Sequence, residues 1–314
     1  MKRRNFLVSS TLALSTSVAF DRYRVSAASP IKSDERSKAI LLIHGAWHSS
    51  LHWNKVSSLL TGMGHHVVAI DLPGHGLNAK FPASYLRQDL AVFATEESPL
   101  KAITITDYVN AAVEAVRALA ADRKVIVVGH SMGGLVITQL GEEVPDLIDR
   151  LVYLSAYCPT ELPSLLAYNE LPEAAPAQSR QSKTIVGNPA KIGAVRLTLR
   201  STNLTYLEEL RQIFYNDVPM EGFLSYAHSL TPDLPLSPLA ADTRGTSERW
   251  GRVPRTYIRC TEDNAIPLAL QDLMIRQADD LTPGNKFNVQ TLNSSHSPFA
   301  SQPKLLSNIL DRLP

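Results

Sequence analysis

The sequence has few cysteines, few aromatic residues and no excess of charge of either sign. Only two of its 314 residues are cysteine and 7% are aromatic, while 31 basic residues balance 30 acidic ones. A balanced chain lacks the positive surface that binding to nucleic acid requires, so no nucleic-acid partner is expected. Internal repeats and low-complexity tracts are absent as well. With 44% hydrophobic residues, the composition suits one large globular domain, or a core that carries an insertion.

The two cysteines, Cys158 and Cys260, each follow a predicted buried strand. These two strands should be neighbours in a sheet. A disulfide is therefore conceivable in an oxidising compartment, if the two Cα atoms lie about 4.4–6.8 Å apart. Two buried free thiols are the simpler interpretation, and we favour it.

The N-terminal residues resemble a bacterial twin-arginine export signal. Arg3 and Arg4 precede an apolar stretch over residues 6–20, and small residues at 26–28 offer a cleavage site. The apolar stretch is too short and too rich in serine and threonine for a good membrane span, so no stable membrane anchor is expected. We predict that residues 1–28 are a signal peptide and that the mature chain is periplasmic or secreted. A disordered basic tail is the alternative, and the charges between residues 21 and 24 favour it.

A buried strand, a serine flanked by glycines and a helix follow one another around residue 131. Residues 125–128 are all β-branched and predict a strand that is buried on both faces. Ser131 then lies between Gly129 and Gly133, ahead of a helix over residues 135–143. This order is typical of a nucleophile elbow, in which a strained turn pushes the serine hydroxyl out above the sheet. The alternative is a glycine-rich turn with an ordinary serine.

Apolar strands alternate with amphipathic helices, which predicts a mostly parallel, twisted sheet with helices on both faces. The predicted strands are residues 39–43, 66–71, 125–128, 151–155, 255–260 and 286–292. The predicted helices are residues 51–63, 106–121, 135–143, 204–214, 267–278 and 303–313. Thr106 is the predicted N-cap of its helix. Residues 81–98 have no clean period and predict an irregular excursion over the site.

The alternation stops between residues 159 and 249, where prolines are frequent and only short helices and turns are expected. We interpret residues 159–249 as a helical cap that is inserted into a core of residues 38–158 and 250–314. Sheets of this class bind ligands at the carboxyl edge of their strands, so the cap is expected over that edge.

The serine hydroxyl is a poor nucleophile at neutral pH and needs an adjacent base. Proteins with a nucleophile elbow place the serine, the acid and the histidine in that order along the chain. Only His228 and His296 follow Ser131. His296 comes just after the last predicted strand, whereas His228 lies inside the predicted cap, so we predict His296 as the base.

The acid that orients this histidine should lie at the end of a strand after Ser131. Asp263 directly follows the strand at residues 255–260 and fits best. Glu262 beside it and Glu161, after the preceding strand, are the alternatives.

The backbone N–H groups of Ala46 and Met132 are the candidate donors of an oxyanion hole. Ala46 lies in the loop after the strand at residues 39–43, and Met132 directly follows Ser131. Proteins with this elbow take one donor from each of these two positions. Because the donors belong to the backbone, the prediction rests on position alone.

Several motifs together resemble the plant methylesterase and hydroxynitrile lyase branch of the α/β-hydrolases, which includes bacterial esterases. They are His44-Gly45-Ala46-Trp47, residues 129–134, residues 261–267 and His296. The resemblance covers residues 38–314 and is weakest across the cap. It implies an α/β-hydrolase fold with Asp263, rather than Glu262, as the acid. It also implies small carboxylic esters as substrates, no cofactor, and a homodimer as one possible assembly.

The lyases of that family carry a threonine where this sequence has Gly45, and a lysine where it has Ser297. Both groups serve the cleavage of cyanohydrins, and neither is present. The resemblance therefore implies a carboxylic-ester hydrolase that uses a Ser-His-Asp triad and an acyl-enzyme intermediate. A hydroxynitrile lyase or other carbon–carbon lyase, and a non-catalytic ligand-binding module, are the alternatives.

Single aromatic residues near these motifs are candidates for lining the substrate pocket. They are Trp47, His130, Tyr157, Phe223 and Tyr226, with Leu162, Tyr168 and Phe214 as further candidates. Three histidines are also spaced by four residues: His44, His48 and His52. Gly45 breaks any helix through them and no cysteine or acidic partner is near, so no metal is expected. The expected partner is a small-molecule ester.

Overall fold

A computed structural model describes residues 37–121 and 123–314. Eight strands lie in this part of the chain: β1 (Ala39–Ile43), β2 (His66–Ile70), β3 (Val125–His130), β4 (Ile148–Leu154), β5 (Ala194–Arg196), β6 (Asp233–Pro235), β7 (Arg255–Cys260) and β8 (Asn288–Leu292). The predicted signal peptide at residues 1–28 lies outside the described residues, so export stays a prediction, as does the homodimer.

Six of the strands form one sheet in the order β2-β1-β3-β4-β7-β8, and every pairing in it is parallel. In the middle of β1, Leu41 is in register with Val68 on one side and Val127 on the other. The carboxyl ends of all six strands therefore meet at one edge. The predicted architecture, a mostly parallel sheet with helices, is confirmed.

The burial of each strand follows from its place in the sheet. All residues of β1 and β3 are buried, and both strands are nearly continuous apolar runs, as expected for strands covered on two faces. The edge strands β2 and β8 are partly exposed, although β2 is almost as apolar as β1. Burial therefore follows the place of a strand in the sheet, and the core is deepest at β1 and β3.

Fourteen α-helices lie in the described part of the chain: α1 (Asn54–Gly62), α2 (Ala83–Arg87), α3 (Leu90–Phe93), α4 (Ile105–Leu119), α5 (Gly133–Glu143), α6 (Leu165–Asn169), α7 (Ala175–Gln181), α8 (Pro189–Ile192), α9 (Leu204–Phe214), α10 (Met220–Ala227), α11 (Ser237–Ala240), α12 (Leu268–Leu281), α13 (Pro298–Ser301) and α14 (Pro303–Asp311). Single 3₁₀ turns span Ser50–Trp53, Gly76–Asn78, Pro145–Leu147, Pro172–Ala174 and Trp250–Arg252.

The connections place helices on both faces of the sheet. The chain steps from β1 to β2 through α1 in one direction, and from β2 to β3 through α4 in the other. Because such crossovers are right-handed, α1 and α4 cover opposite faces. Helix α14 packs against α1, and α5 packs against α4. No helix in residues 37–121 and 123–314 is long and apolar enough to cross a bilayer.

Helix α4 begins two residues earlier than predicted, because Thr104 and not Thr106 is its N-cap. The Oγ1 of Thr104 accepts a hydrogen bond from the N–H of Asp107 at 3.3 Å, and Oδ2 of Asp107 accepts one from the N–H of Thr104 at 2.8 Å. This reciprocal capping box satisfies two backbone donors at once. Thr106 has no acidic residue three positions later and lies inside the helix.

Between β4 and β7 the chain forms helices α6 to α11 and a small antiparallel sheet of β5 and β6. Helix α9 has the predicted bounds, but the sequence did not predict the two short strands. A buried ion pair joins them, because Arg196 Nε and Nη2 donate to the two carboxylate oxygens of Asp233 at 2.6 and 2.7 Å. The excursion at residues 81–98 is also more regular than predicted, since it contains α2 and α3.

Both cysteines are buried free thiols. Cys260 ends β7, and the N–H of Cys158 lies 3.4 Å from the Met274 sulfur. Burial raises the pKa of the Cys158 thiol to about 12. The thiols are therefore protonated and poorly reactive in the folded chain.

Candidate active site

Ser131 lies in the sharp turn between β3 and α5 with a backbone φ of +56°, in the left-handed region that L-residues rarely adopt. A Cβ atom on Gly129 would lie 2.8 Å from the carbonyl oxygen of Gly133, and one on Gly133 would lie 2.8 Å from that of His44. Neither contact is tolerable, so the turn requires glycine on both sides of the serine. The glycine-flanked turn thus has the strain of a nucleophile elbow.

The loop after β8 brings His296 against Asp263, which follows β7. Nδ1 of His296 donates to Oδ2 of Asp263 at 2.6 Å, and the two side chains are almost fully buried. Oδ1 of the same carboxylate accepts the N–H groups of Ala265 and Ile266 at 2.7 and 2.8 Å. Oδ2 also accepts a hydrogen bond from the Ser155 hydroxyl. Four donors therefore hold the carboxylate in a fixed orientation.

The alternative acids and the alternative histidine from the sequence analysis do not contact the His296–Asp263 pair. Glu262 is exposed, and its backbone carbonyl accepts from Asn216 Nδ2 at 2.9 Å. Glu161 is exposed and accepts from the Gln277 amide at 2.9 Å. His228 is an exposed residue at the end of α10. Asp263 is the acid that the structure brings to His296.

Behind the turn, His130 supports the loop that carries His296. Its Nε2 donates to the carbonyl oxygen of His296 at 2.8 Å, and the two ring centroids lie 4.5 Å apart. Burial lowers the pKa of His130 well below 6.5, so the ring is neutral and carries one proton. The proton is on Nε2, and Nδ1 has no partner in the described part of the chain.

The loop after β1 carries Ala46, and His48 holds its peptide in place. Nδ1 of His48 donates a hydrogen bond to the carbonyl oxygen of Ala46 at 2.6 Å. Because a neutral ring has one N–H, Nε2 accepts a hydrogen bond from the Tyr215 hydroxyl at 2.7 Å. Burial lowers the pKa of His48 well below 6.5, which keeps this tautomer neutral. His48, one of the three histidines whose spacing suggested a metal site, therefore has a structural role. Among the described residues, no group of three or more His, Cys, Asp or Glu side chains could hold a metal.

Trp47, the next residue of that loop, connects it to the segment between β4 and β7. Its backbone φ is +60°. Its indole Nε1 donates to the carbonyl oxygen of Val195 in β5 at 3.1 Å. Its own carbonyl accepts the N–H of Thr231 at 2.8 Å and the Thr231 hydroxyl at 3.2 Å. Hydrogen bonds from both the side chain and the backbone of Trp47 therefore hold this loop in place.

A cavity of about 230 Å³ opens beside Ser131. Its lining is mostly aliphatic and aromatic, with three side-chain amides. The lining residues are Ala46, Trp47, Ser131, Met132, Tyr157, Leu165, Leu166, Asn169, Gln178, Gln181, Ile185, Pro189, Val195, Phe214, Leu234, Leu236, Leu239, Ala265 and Ile266. The predicted donors Ala46 and Met132 thus lie beside Ser131 in the wall of this cavity.

Some of the residues predicted for the substrate pocket line this cavity and others do not. Trp47, Tyr157 and Phe214 contribute to it. His130, Phe223 and Tyr226 do not, because His130 packs against His296 behind the turn, and Phe223 and Tyr226 both pack against Tyr215. Leu162 and Tyr168 are outside the lining as well. Sequence reasoning missed the amides and the aliphatic residues, which no short motif marks.

Comparisons with known proteins agree with this geometry. The family model of the alpha/beta hydrolase family matches residues 40–309. The chain is 28% identical over 274 residues to methyl jasmonate esterase 1 of Vitis vinifera, covering 86% of this chain and 94% of that protein. It is 28% identical over 241 residues to polyneuridine aldehyde esterase of Rauvolfia serpentina, covering 76% and 82%. The solved structure of a pyrethroid hydrolase from Sphingobium faniae JZ-2 has a TM-score of 0.68 at 25% identity, covering 87% and 96%.

The names of these relatives are those of esterases and a hydrolase, which supports hydrolase activity for this chain. The predicted resemblance to plant methylesterases and the predicted fold are both confirmed. The matched residues run from β1 to α14 and include the serine turn and the two loops that follow β7 and β8. The chain belongs to the alpha/beta hydrolase family.

Proposed function

We propose that this protein is a carboxylic-ester hydrolase with Ser131 as its nucleophile, His296 as its base and Asp263 as its acid. The observation that carries the proposal is the buried contact of 2.6 Å between His296 Nδ1 and Asp263 Oδ2. The strained turn at Ser131 supports it, because a positive φ at a non-glycine residue persists only where the surrounding structure enforces it.

The proposed reaction follows the serine-hydrolase scheme. Oγ of Ser131 attacks the ester carbonyl carbon while Nε2 of His296 takes the hydroxyl proton. Asp263 accepts a hydrogen bond from the Nδ1–H of the ring and does not take the proton, so it fixes the tautomer and stabilises the imidazolium. The imidazolium then protonates the departing alcohol, and a water molecule, activated by the same ring, releases the acid from the acyl-enzyme. The bond broken is the acyl carbon–oxygen bond, and no redox step or cofactor is required.

The N–H groups of Ala46 and Met132 would bind the oxyanion that forms on the carbonyl oxygen. Neither N–H donates a hydrogen bond to another group in the part of the chain that the structure describes. Both residues line the cavity together with Ser131. Two unused donors beside a nucleophile are what the tetrahedral intermediate requires, and removing one such donor typically costs about 2.7–4 kcal/mol of barrier lowering.

The cavity limits the substrate class that we propose. Its volume of about 230 Å³ is below the roughly 300–1,000 Å³ of pockets that hold drug-sized ligands. Its lining contains no charged side chain. We therefore propose uncharged esters of small to medium size as substrates. The relatives named above as esterases are consistent with this class.

The test is hydrolysis of p-nitrophenyl esters from acetate to decanoate, with mature protein and with Ser131→Ala. We expect activity on the shorter esters, loss of that activity by at least about 1,000-fold in Ser131→Ala, and covalent labelling of Ser131 by a fluorophosphonate. Ser307→Ala removes another buried serine, in α14, and serves as the control with unchanged activity.

Three outcomes would overturn the proposal. Full activity of Ser131→Ala would show that another nucleophile acts. Labelling of Ser131 without hydrolysis of any ester, together with cyanide release from mandelonitrile that His296→Ala abolishes, would point to a lyase instead. Absence of both labelling and turnover would favour a binding module.

A further inference from the structure

Three side-chain amides lie in the wall of the cavity that α6 and α7 provide, and they differ in their hydrogen bonds. Gln181 donates from Nε2 to the carbonyl oxygen of Ala265 at 3.3 Å. Asn169 accepts at Oδ1 from the Tyr157 hydroxyl at 2.5 Å. Nε2 of Gln178 is buried and has no hydrogen-bond partner in the described part of the chain. Gln178 is thus a lining residue whose amide donor has no protein partner.

A buried amide donor without an acceptor loses its interaction with water and gains nothing in return. Most buried polar groups in native proteins are paired for this reason, and an exception calls for an explanation. Here the unpaired donor belongs to a residue of the substrate cavity and not of the core. A hydrogen-bond acceptor on a bound molecule would satisfy it.

The rest of the lining indicates what kind of acceptor fits. The other residues around the cavity are apolar apart from Ser131, Tyr157 and the two remaining amides, and none is Lys, Arg or His. A carboxylate or phosphate buried here would have no cationic partner and would pay a large desolvation cost. A neutral oxygen, as in a ketone, an ether or a second ester, avoids that cost.

We propose that Gln178 is a specificity-determining residue that donates a hydrogen bond to a neutral acceptor oxygen in the part of the substrate away from the scissile ester. The preferred substrates are then neutral esters with a second oxygen function, such as keto esters, rather than plain hydrocarbon esters. The assignment of this ligand as a substrate rests on the ester hydrolysis proposed above. Asn169 lies in the same wall, but its Oδ1 already accepts a hydrogen bond from Tyr157.

The test measures binding without turnover, in the Ser131→Ala protein. Dissociation constants for methyl hexanoate, methyl 4-oxohexanoate and methyl 5-oxohexanoate are measured by calorimetry. The variants are Gln178→Met, which keeps the length and removes the donor, and Gln178→Glu, which replaces the donor with acceptors. Gln181→Met is the matched control, because it alters an amide of the same wall that already has a protein partner.

We expect the affinity for the better keto ester, relative to methyl hexanoate, to fall by about 3- to 10-fold in Gln178→Met and in Gln178→Glu, as for the loss of one hydrogen bond. In Gln181→Met the same ratio should stay within about twofold. An unchanged ratio in both Gln178 variants would overturn the inference, and so would an equal fall in Gln181→Met or no saturable binding of any ester. Thermal unfolding of each variant checks that it is folded.

Hydrolysis of the same three esters by the protein with Ser131 intact separates the two proposals. A Gln178-dependent preference in binding without any hydrolysis would overturn the proposed function and leave this inference standing. If hydrolysis depends on Ser131 but the preference for the keto ester over methyl hexanoate does not depend on Gln178, the proposed function stands and this inference is overturned.

Discussion

Gly45 packs so closely against Ser131 that a Cβ atom on the glycine would lie 2.7 Å from the Cβ of the serine. The same atom would lie 2.8 Å from Nδ1 of His130. The loop after β1 therefore packs directly against the side chains of Ser131 and His130 at this point. The threonine that the family resemblance associates with the lyases would bring a Cβ atom into these same contacts, so it would not fit here unless the serine turn moved.

The first prediction concerns this contact. Gly45→Ala is expected to lower kcat/KM for ester hydrolysis by about 100-fold or more, because displacing a reacting group by about 1 Å has an effect of that size. The measurement is steady-state hydrolysis of p-nitrophenyl butyrate. Gly62→Ala is the control, since a Cβ atom there meets nothing within 4 Å and its activity should be unchanged. Equal activity of the two variants would contradict the close contact.

The second prediction distinguishes the three acids that the sequence offered. Asp263→Asn should lower kcat by about 10,000-fold, because the amide no longer fixes the productive tautomer of His296. Glu262→Gln and Glu161→Gln should keep the activity, since both side chains are exposed and away from that ring. The readout is kcat for the same ester. A large loss in either glutamine variant, with an active Asp263→Asn protein, would reassign the acid.

The third prediction concerns pH and five buried histidines. Burial lowers the pKa of His44 to about 3 and those of His52 and His75 to about 4, and it lowers those of His48 and His130 well below 6.5. Below pH 6.5 the unfolded chain binds protons that the folded chain does not. The free energy of unfolding should therefore fall as the pH drops from 6.5 towards 4, by up to about 1.4 kcal/mol per pH unit for each such histidine.

Urea unfolding at pH 7.5, 6.5 and 5.5 measures this dependence. The free energy of unfolding should fall modestly between the first two values, because the histidines of the unfolded chain are half protonated at pH 6.5, and fall more steeply between the second and the third. Potentiometric measurement of protons taken up on unfolding at pH 5.5 gives an independent count. Equal stability at pH 7.5 and 5.5, without proton uptake, would contradict the prediction that these five buried histidines are neutral in the folded chain.

The fourth prediction concerns the buried ion pair of Arg196 and Asp233. Asp233→Ala should lower the free energy of unfolding by about 3–5 kcal/mol, because it leaves a guanidinium buried without its counter-ion. The exposed pair of Arg244 and Asp242 is the control, and Asp242→Ala should have no measurable effect. Both values come from urea unfolding followed by circular dichroism. A similar small effect in both variants would mean that the first pair is hydrated in solution.

The parts of the molecule that could be predicted from sequence are those in which neighbouring residues decide the structure. The β-branched run before Gly129 forms a buried strand, and Gly129 itself is required by its close approach to the backbone of Gly133, four residues later. The order of serine, acid and histidine along the chain then limited the candidate bases to His228 and His296. Resemblance to a family, and not spacing, separated Asp263 from Glu262.

The parts that could not be predicted depend on contacts between distant residues. Strands β5 and β6 have three residues each, and the pairing of Arg196 with Asp233 across them leaves no local pattern. No pattern in the sequence around Ser155 indicates that its hydroxyl contacts Asp263. Its position directly after β4 does place it at the same edge of the sheet. The pocket residue Gln178 belongs to a short polar helix whose sequence alone suggests only exposure.

The hydrogen bonds of Trp47 have a consequence for the position of the proposed oxyanion donor. This residue follows Ala46, the proposed oxyanion donor, and its indole and its carbonyl bind β5 and Thr231 on either side. Lifting β5 away from the sheet would therefore pull on the backbone that carries the donor. The position of the proposed donor therefore depends on contacts with the segment between β4 and β7, which is distant from it in the sequence.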